Sequence, residues 1–267
     1  MKRFLKTIID FFLKLFGKKN EDEEQTIVTN ESGDTVVVNE KEDVEENVET
    51  EEINILTGKE KSMKILIDNG HGYDTAGKRS PYSMYKVEPA VEFYEYKWNR
   101  EIAKPIVDEL VKRGYDAELL VKEDNDVTLS ERARRVNEYC KKLGTSNVLL
   151  VSVHANAAGN GRSWLNARGW CAFTTKGTTK SDKFAECLYN EAEKNFKGMT
   201  IRKDMSDGDR DWEANFTIIY KSLCPAVLTE NFFYDNLDDV KYILSEEGRN
   251  AVIKTHVDGI INYIKSL

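Results

Sequence analysis

The sequence predicts an α/β protein: a single, mostly parallel, twisted sheet of about six strands with helices on both faces, preceded by a disordered acidic N-terminal segment. Three observations carry this. Apolar runs of strand length recur at 63–68, 147–153 and 225–229. Amphipathic stretches of helical length alternate with them. The charge is uneven: residues 1–62 carry 9 Lys/Arg against 16 Asp/Glu, whereas 63–267 carry 30 against 31.

In chain order, residues 1–19 read as an amphipathic helix. Leu5, Ile8, Ile9, Phe12, Leu15 and Phe16 share one face, and Lys2, Lys6, Asp10 and Lys14 lie off it. The basic start resembles a signal peptide, but Asp10 and Lys14 interrupt the apolar stretch and no small-residue cleavage site follows. The stretch is too short and too charged to span a bilayer. A membrane-surface or partner-docking role fits it, against an uncleaved signal or a helix packed on the body. Residues 20–62 are an acidic linker, largely disordered, because such composition cannot bury enough apolar surface to offset ordering entropy. One exception is a small hairpin pairing 26–29 with 35–38.

From 63 to 267 a single catalytic domain is expected. Strand 63–68 precedes a helix ending near Arg113-Gly114, in which Pro105 predicts a kink or an earlier break. A strand at 115–121 leads to a helix over 128–143, capped by Thr128 or Ser130. Strands follow at 147–153 and 168–175, then a helix over 181–195. Strand-like 216–220 and strand 225–229 precede helices at 237–244 and 247–265. The near-neutral body argues against nucleic acid as a partner. Cys140, Cys171, Cys187 and Cys224 match no zinc framework and read as free thiols of a reducing compartment.

The chain has three histidines, and two of them end strand-like runs: His71 and His154. A third run ends in Glu230, a charge that is costly to bury without a partner or a task. In open α/β sheets the ligand crevice lies outside the carboxyl ends of the strands. Catalytic zinc typically takes three ligands from His and Glu/Asp. His71 and His154 are candidates, and Glu88, Glu92, Glu95 and Glu101 compete for the third place. Glu95 and Asn99 sit one turn apart on one helix face. Bland alternatives stand beside each: a glycine-flanked turn for His71 and a hydrogen-bonded crevice residue for His154. His256, in the last helix, reads as structural or surface.

Taken together, the motifs resemble the zinc-dependent N-acetylmuramoyl-L-alanine amidases of the Amidase_3 type, phage endolysins among them. The resemblance rests on Ile67-Asp68-Asn69-Gly70-His71-Gly72, the Glu95/Asn99 helix, Leu129-Ser130-Glu131-Arg132, Ser152-Val153-His154-Ala155-Asn156, Ala214-Asn215-Phe216 and Pro225 through Phe232. It implies one Zn²⁺ held by His71, Glu95 and His154, with Glu230 as catalytic carboxylate. The implied reaction is hydrolysis of the amide between N-acetylmuramic acid and L-alanine in peptidoglycan. Such an enzyme is made in the bacterial cytoplasm and acts on the cell wall. Asn69, Tyr73, Lys122, Asn231 and Phe232 depart from the usual family residues, which puts loop geometry and substrate preference in question more than activity. Segments 157–168 and 198–213 are expected to line a groove for glycan or stem peptide. Asn156, Asn231, Trp164 and Arg210 are the candidate substrate contacts, although Trp164 could equally anchor its loop. Another zinc peptidase or deacetylase, and a non-catalytic wall-binding module, are the competing readings.

Overall fold

A computed structural model of the chain describes residues 25–29, 35–39 and 63–267. The expected helix at 1–19 lies outside the described residues, as does most of the acidic linker. Within the linker, β1 (Gln25–Thr29) and β2 (Thr35–Asn39) pair antiparallel, with Ile27 opposite Val37. The β1–β2 hairpin and residues 63–267 fall in different compact units.

The second unit is built on six strands: β3 (Lys64–Asn69), β4 (Asp116–Leu119), β5 (Val148–Asn156), β6 (Cys171–Thr174), β7 (Trp212–Glu213) and β8 (Ala226–Phe233). Their spatial order is β4-β3-β5-β8-β6-β7. The first four run parallel, β6 is antiparallel to β8, and β7 is parallel to β6. The Val-, Ile- and Leu-rich runs of β3, β5 and β8 reflect burial on both faces, as parallel sheets require.

Pleating divides these strands between two cores. Ile65 and Ile67 of β3, Val151 and Val153 of β5, and Val227 of β8 face α2 (Glu95–Lys112), α4 (Lys180–Asn195) and α7 (Glu246–Lys265). Leu66, Leu150 and Leu228 face α3 (Leu129–Leu143) and α5 (Thr217–Lys221). The remaining helices are α1 (Pro81–Tyr85) and α6 (Leu237–Leu244). Further along the second face, the pleat presents Asp68, Ser152, His154 and Glu230. Polar side chains replace leucines here, and the first of them, Asp68 and Ser152, are still fully buried.

Thr128 caps α3 by accepting a hydrogen bond from Glu131 N, which settles the choice between the two expected caps. Thr179 and Asp182 form a reciprocal capping box at the start of α4.

The structure corrects three expectations. First, the helix does not break early at Pro105: α2 continues through it to Lys112. Its buried stripe, Trp98, Ile102, Ile106 and Leu110, is continuous across that residue, and Trp98 Nε1 donates to Ile243 O at 2.9 Å. Packing here outweighs the local cost of the proline. Second, 216–220 is not a strand. Residues Thr217–Lys221 form the short helix α5, which buries Ile218 and Ile219 against α3. A four- or five-residue apolar run carries no period that separates helix from strand. Third, β5 and β8 continue past 153 and 229, so His154 and Glu230 lie within strands.

Candidate metal centre

His154 and Glu230 are directly paired neighbours on β5 and β8. Beyond them the register shifts, with Asn156 opposite Phe233. The extra residue falls on β8, where Phe232 takes a φ of 67°. A bulge of this kind ends regular pairing and re-aims side chains at a site.

The other two members come from β3 and α2. The chain turns sharply after β3, and His71 adopts a left-handed φ of 65°, a conformation uncommon for non-glycine residues. Its carbonyl is held by Arg100 Nη1 at 3.0 Å and Arg132 Nη2 at 3.3 Å. Asn99 Nδ2 donates to Gly70 O at 3.1 Å. Gly70 must lack a side chain: a Cβ there would fall 2.1 Å from the His154 ring. Arg132 is the keystone of this turn. It is fully buried and donates to Asp68 Oδ1 at 2.6 Å, to Asn69 O at 3.1 Å and to Val127 O at 2.8 Å. The second oxygen of Asp68 accepts from Ser152 Oγ at 2.5 Å, so one buried ion pair ties α3 to both strands that carry the histidines.

Glu95 opens α2 and points between the two imidazoles. Its Oε1 lies 3.3 Å from His71 Nε2 and 3.0 Å from His154 Nδ1. It also accepts from Ala155 N at 3.2 Å. One donor atom from each of the three residues falls within 4.8 Å of the others. Of the competing carboxylates, Glu92 is exposed beside Lys86, and Glu101 pairs with Lys97 and Arg249. Glu88 is exposed.

The electrostatics suit a cation. Burial pushes Glu95 up, but the hydrogen bonds and charges of His154 and His71 outweigh it and hold the carboxyl well below its usual range. Burial lowers His71. For His154 burial also acts downward, but the hydrogen bond and charge of Glu95 prevail and raise it. Glu95 Oε2 and Glu230 Oε2 are buried without hydrogen-bond partners, an arrangement that is costly unless something else satisfies them. Two ligands about 2.0–2.1 Å from a tetrahedral centre lie about 3.3 Å apart, close to the 3.3 Å and 3.0 Å between Glu95 Oε1 and the two ring nitrogens. The two nitrogens and one carboxylate therefore fit a zinc ion.

Burial, partly offset by His154 and reinforced by Glu95, pushes Glu230 up to about 7. A carboxyl poised near neutrality beside a cation site is suited to proton transfer. Glu95, His154, Asn156 and Glu230 line a cavity of about 350 Å³, which Lys78 and Tyr234 help to enclose.

The match to family profiles decides the lineage: the Amidase_3 profile, N-acetylmuramoyl-L-alanine amidase, matches residues 65–262. The chain belongs to this amidase family. It is 28% identical over 201 residues to the endolysin of Bacillus phage SPP1, a match covering 74% of this chain and 65% of that protein. Among solved structures, it resembles the N-acetylmuramoyl-L-alanine amidase from Clostridium difficile 630 with 25% identity and a TM-score of 0.60. That match covers 77% of this chain and 98% of the other. The catalytic domain of CwlV, the amidase of Bacillus (Paenibacillus) polymyxa var. colistinus, shares the fold with 23% identity and a TM-score of 0.60, covering 76% of this chain and 98% of the other.

Within this amidase fold the candidate substrate contacts separate. Asn156 lines the cavity. Asn231 does not face it. That residue is fully buried, donating to His154 O at 2.8 Å and accepting from Trp170 Nε1 at 2.9 Å, so it positions the β5 backbone instead. Arg210 is committed to α4, where it pairs with Glu186 at 2.6 Å and Glu193 at 3.2 Å. Trp164 is half-buried against the larger core and donates to Val87 O at 3.3 Å, so it anchors its loop. His256 is fully buried and structural. Sequence reasoning missed Lys78 and Tyr234 at the cavity and the bracing role of Arg132 and Arg100. Only Arg132 carried a signal, as the last residue of the Leu129–Arg132 motif. The others sit in loops or on helix positions where periodicity says nothing about function.

Proposed function

We propose that the protein hydrolyses the amide joining the lactyl group of N-acetylmuramic acid to L-alanine in peptidoglycan, with one Zn²⁺ held by His71, Glu95 and His154. The observation that carries this is the convergence of three metal-suited donors beside a half-buried carboxylate, Glu230, whose Oε2 has no partner. When bound, the zinc supplies Lewis acidity at the scissile carbonyl and makes a nearby water more acidic. Glu230 takes the proton of the attacking water and delivers it to the leaving amine of L-alanine, so the C–N bond breaks with no net proton change on the enzyme. Glu95, held ionised, would supply the one anionic donor among the three residues that hold the ion. The similarity to a phage endolysin supports a wall-lysing role for a protein made inside the host cell. No helix among the described residues is long and apolar enough to cross a membrane.

The test is digestion of purified cell walls. New L-alanine amino termini should appear without new reducing sugar, and chelation should abolish release. Glu230→Ala should lower turnover by roughly 10²–10⁴-fold while zinc stays bound. Full activity in the chelated protein, or in the Glu230 variant, would overturn the mechanism.

A further inference from the structure

A second cavity, of about 310 Å³, adjoins the catalytic one and shares Asn156 and Ala157 with it. It reaches from Cys171, the β6 residue paired in register with Glu230, to Arg202. The Arg202 guanidinium carbon lies 5.1 Å from the Trp212 ring centre and 5.1 Å from that of Phe233. Among the described residues no carboxylate pairs with this guanidinium. Arg210 nearby in sequence is fully engaged by glutamates. The Arg202 backbone is fixed on both sides: its N–H donates to Trp170 O at 2.8 Å, and its carbonyl accepts from Tyr189 OH at 2.9 Å. Aromatic faces hold a guanidinium in place without consuming its hydrogen-bond donors, leaving its planar fork free to take a carboxylate.

We propose that Arg202, clamped by Trp212 and Phe233 beside the catalytic cavity, binds a carboxylate of the peptide on the leaving-group side of the scissile amide. The assignment rests on the amidase reading above. In the intact substrate the lactyl carboxyl is tied up in the scissile amide, so the glycan side offers no negative charge there. The stem peptide does, at its free side carboxylates. Arg202 would therefore orient the peptide and discriminate free from amidated stems.

The test uses soluble muramyl peptides that differ only in whether the stem side carboxylates are free or amidated. Arg202→Gln should lower kcat/KM on the free form roughly ten- to a hundredfold more than on the amidated form. Arg202→Lys should restore part of the difference, and thermal midpoints should report intact folding in both variants. Binding is measured in parallel by calorimetry in the inactive Glu230→Gln background, where the same differential should appear in Kd. If the parent protein turns over neither substrate, the amidase reading fails, and the Kd comparison still decides Arg202. An equal effect of Arg202→Gln on both forms, or none, overturns the proposal. So does a loss confined to whole walls, which would assign Arg202 to anionic wall polymers.

Discussion

Behind the candidate centre lies a buried hydrogen-bond chain whose polarity is set by one imidazole. His256 Nδ1 donates to Val252 O at 2.8 Å, which leaves Nε2 to accept from Thr229 Oγ1 at 2.9 Å. Thr229 Oγ1 in turn accepts from Asn231 Nδ2 at 3.1 Å, and Asn231 holds the His154 carbonyl. The ring must stay neutral for this, and burial depresses it to about 4. An unfolded histidine titrates near 6.5, so between these values the unfolded chain binds more protons than the folded one. Stability is therefore full above about pH 6.5 and is lost as pH falls toward 4, by roughly 3 kcal/mol for this residue. His256→Gln should be less stable than the parent at pH 7, with the gap in thermal midpoint closing as pH falls through that window. A gap that stays constant with pH would mean that the imidazole does not titrate differently on folding.

At the scale of elements, α2 shows tertiary packing outweighing a local penalty. A proline inside a helix removes one hydrogen bond and crowds the preceding turn, at a cost of about 3 kcal/mol. Pro105 is only half-buried, whereas the flanking Ile102, Ala103 and Ile106 are fully buried. Pro105→Ala is expected to stabilise the domain by about 1–2 kcal/mol after allowing for the proline's stiffening of the unfolded chain. That corresponds to roughly 2–4 °C in thermal midpoint per kcal/mol for a domain of this size. A lower midpoint would show that the proline ring contributes to packing. The functional return of α2 lies at its start, where Glu95 and Asn99 face the candidate metal centre and the His71 turn.

At the scale of the molecule, the buried core of the described residues begins at Met63, and residues 63–267 are enough to enclose a core of their own. A chain shortened to begin at Met63 is expected to keep its thermal midpoint and its turnover of soluble muramyl peptides. A lowered midpoint or turnover would show that the acidic segment takes part in the fold or the site. Binding to vesicles by the full chain but not by the shortened one would assign membrane affinity to residues 1–62.

Much of this was legible in the sequence, because strand-length apolar runs and helical periodicity follow directly from which faces must be buried. The alternation of β3, β5 and β8 with long helices was readable, and so were His71, His154 and Glu230 as polar residues at the ends of strand-like apolar runs. Other features were not legible. Spacing alone left four glutamates in competition and the family resemblance pointed to Glu95, but only the meeting of the α2 start with β3 and β5 brings it between the imidazoles. Likewise only the fold buried Asn231, occupied Arg210 and left Arg202 with no carboxylate partner among the described residues. The physical reason is one of range. Burial pattern is encoded within one or two turns of chain, whereas this site is made of contacts between residues 24 to 76 positions apart, His71 with Glu95, Glu95 with His154 and His154 with Glu230, and those contacts exist only once the sheet has assembled.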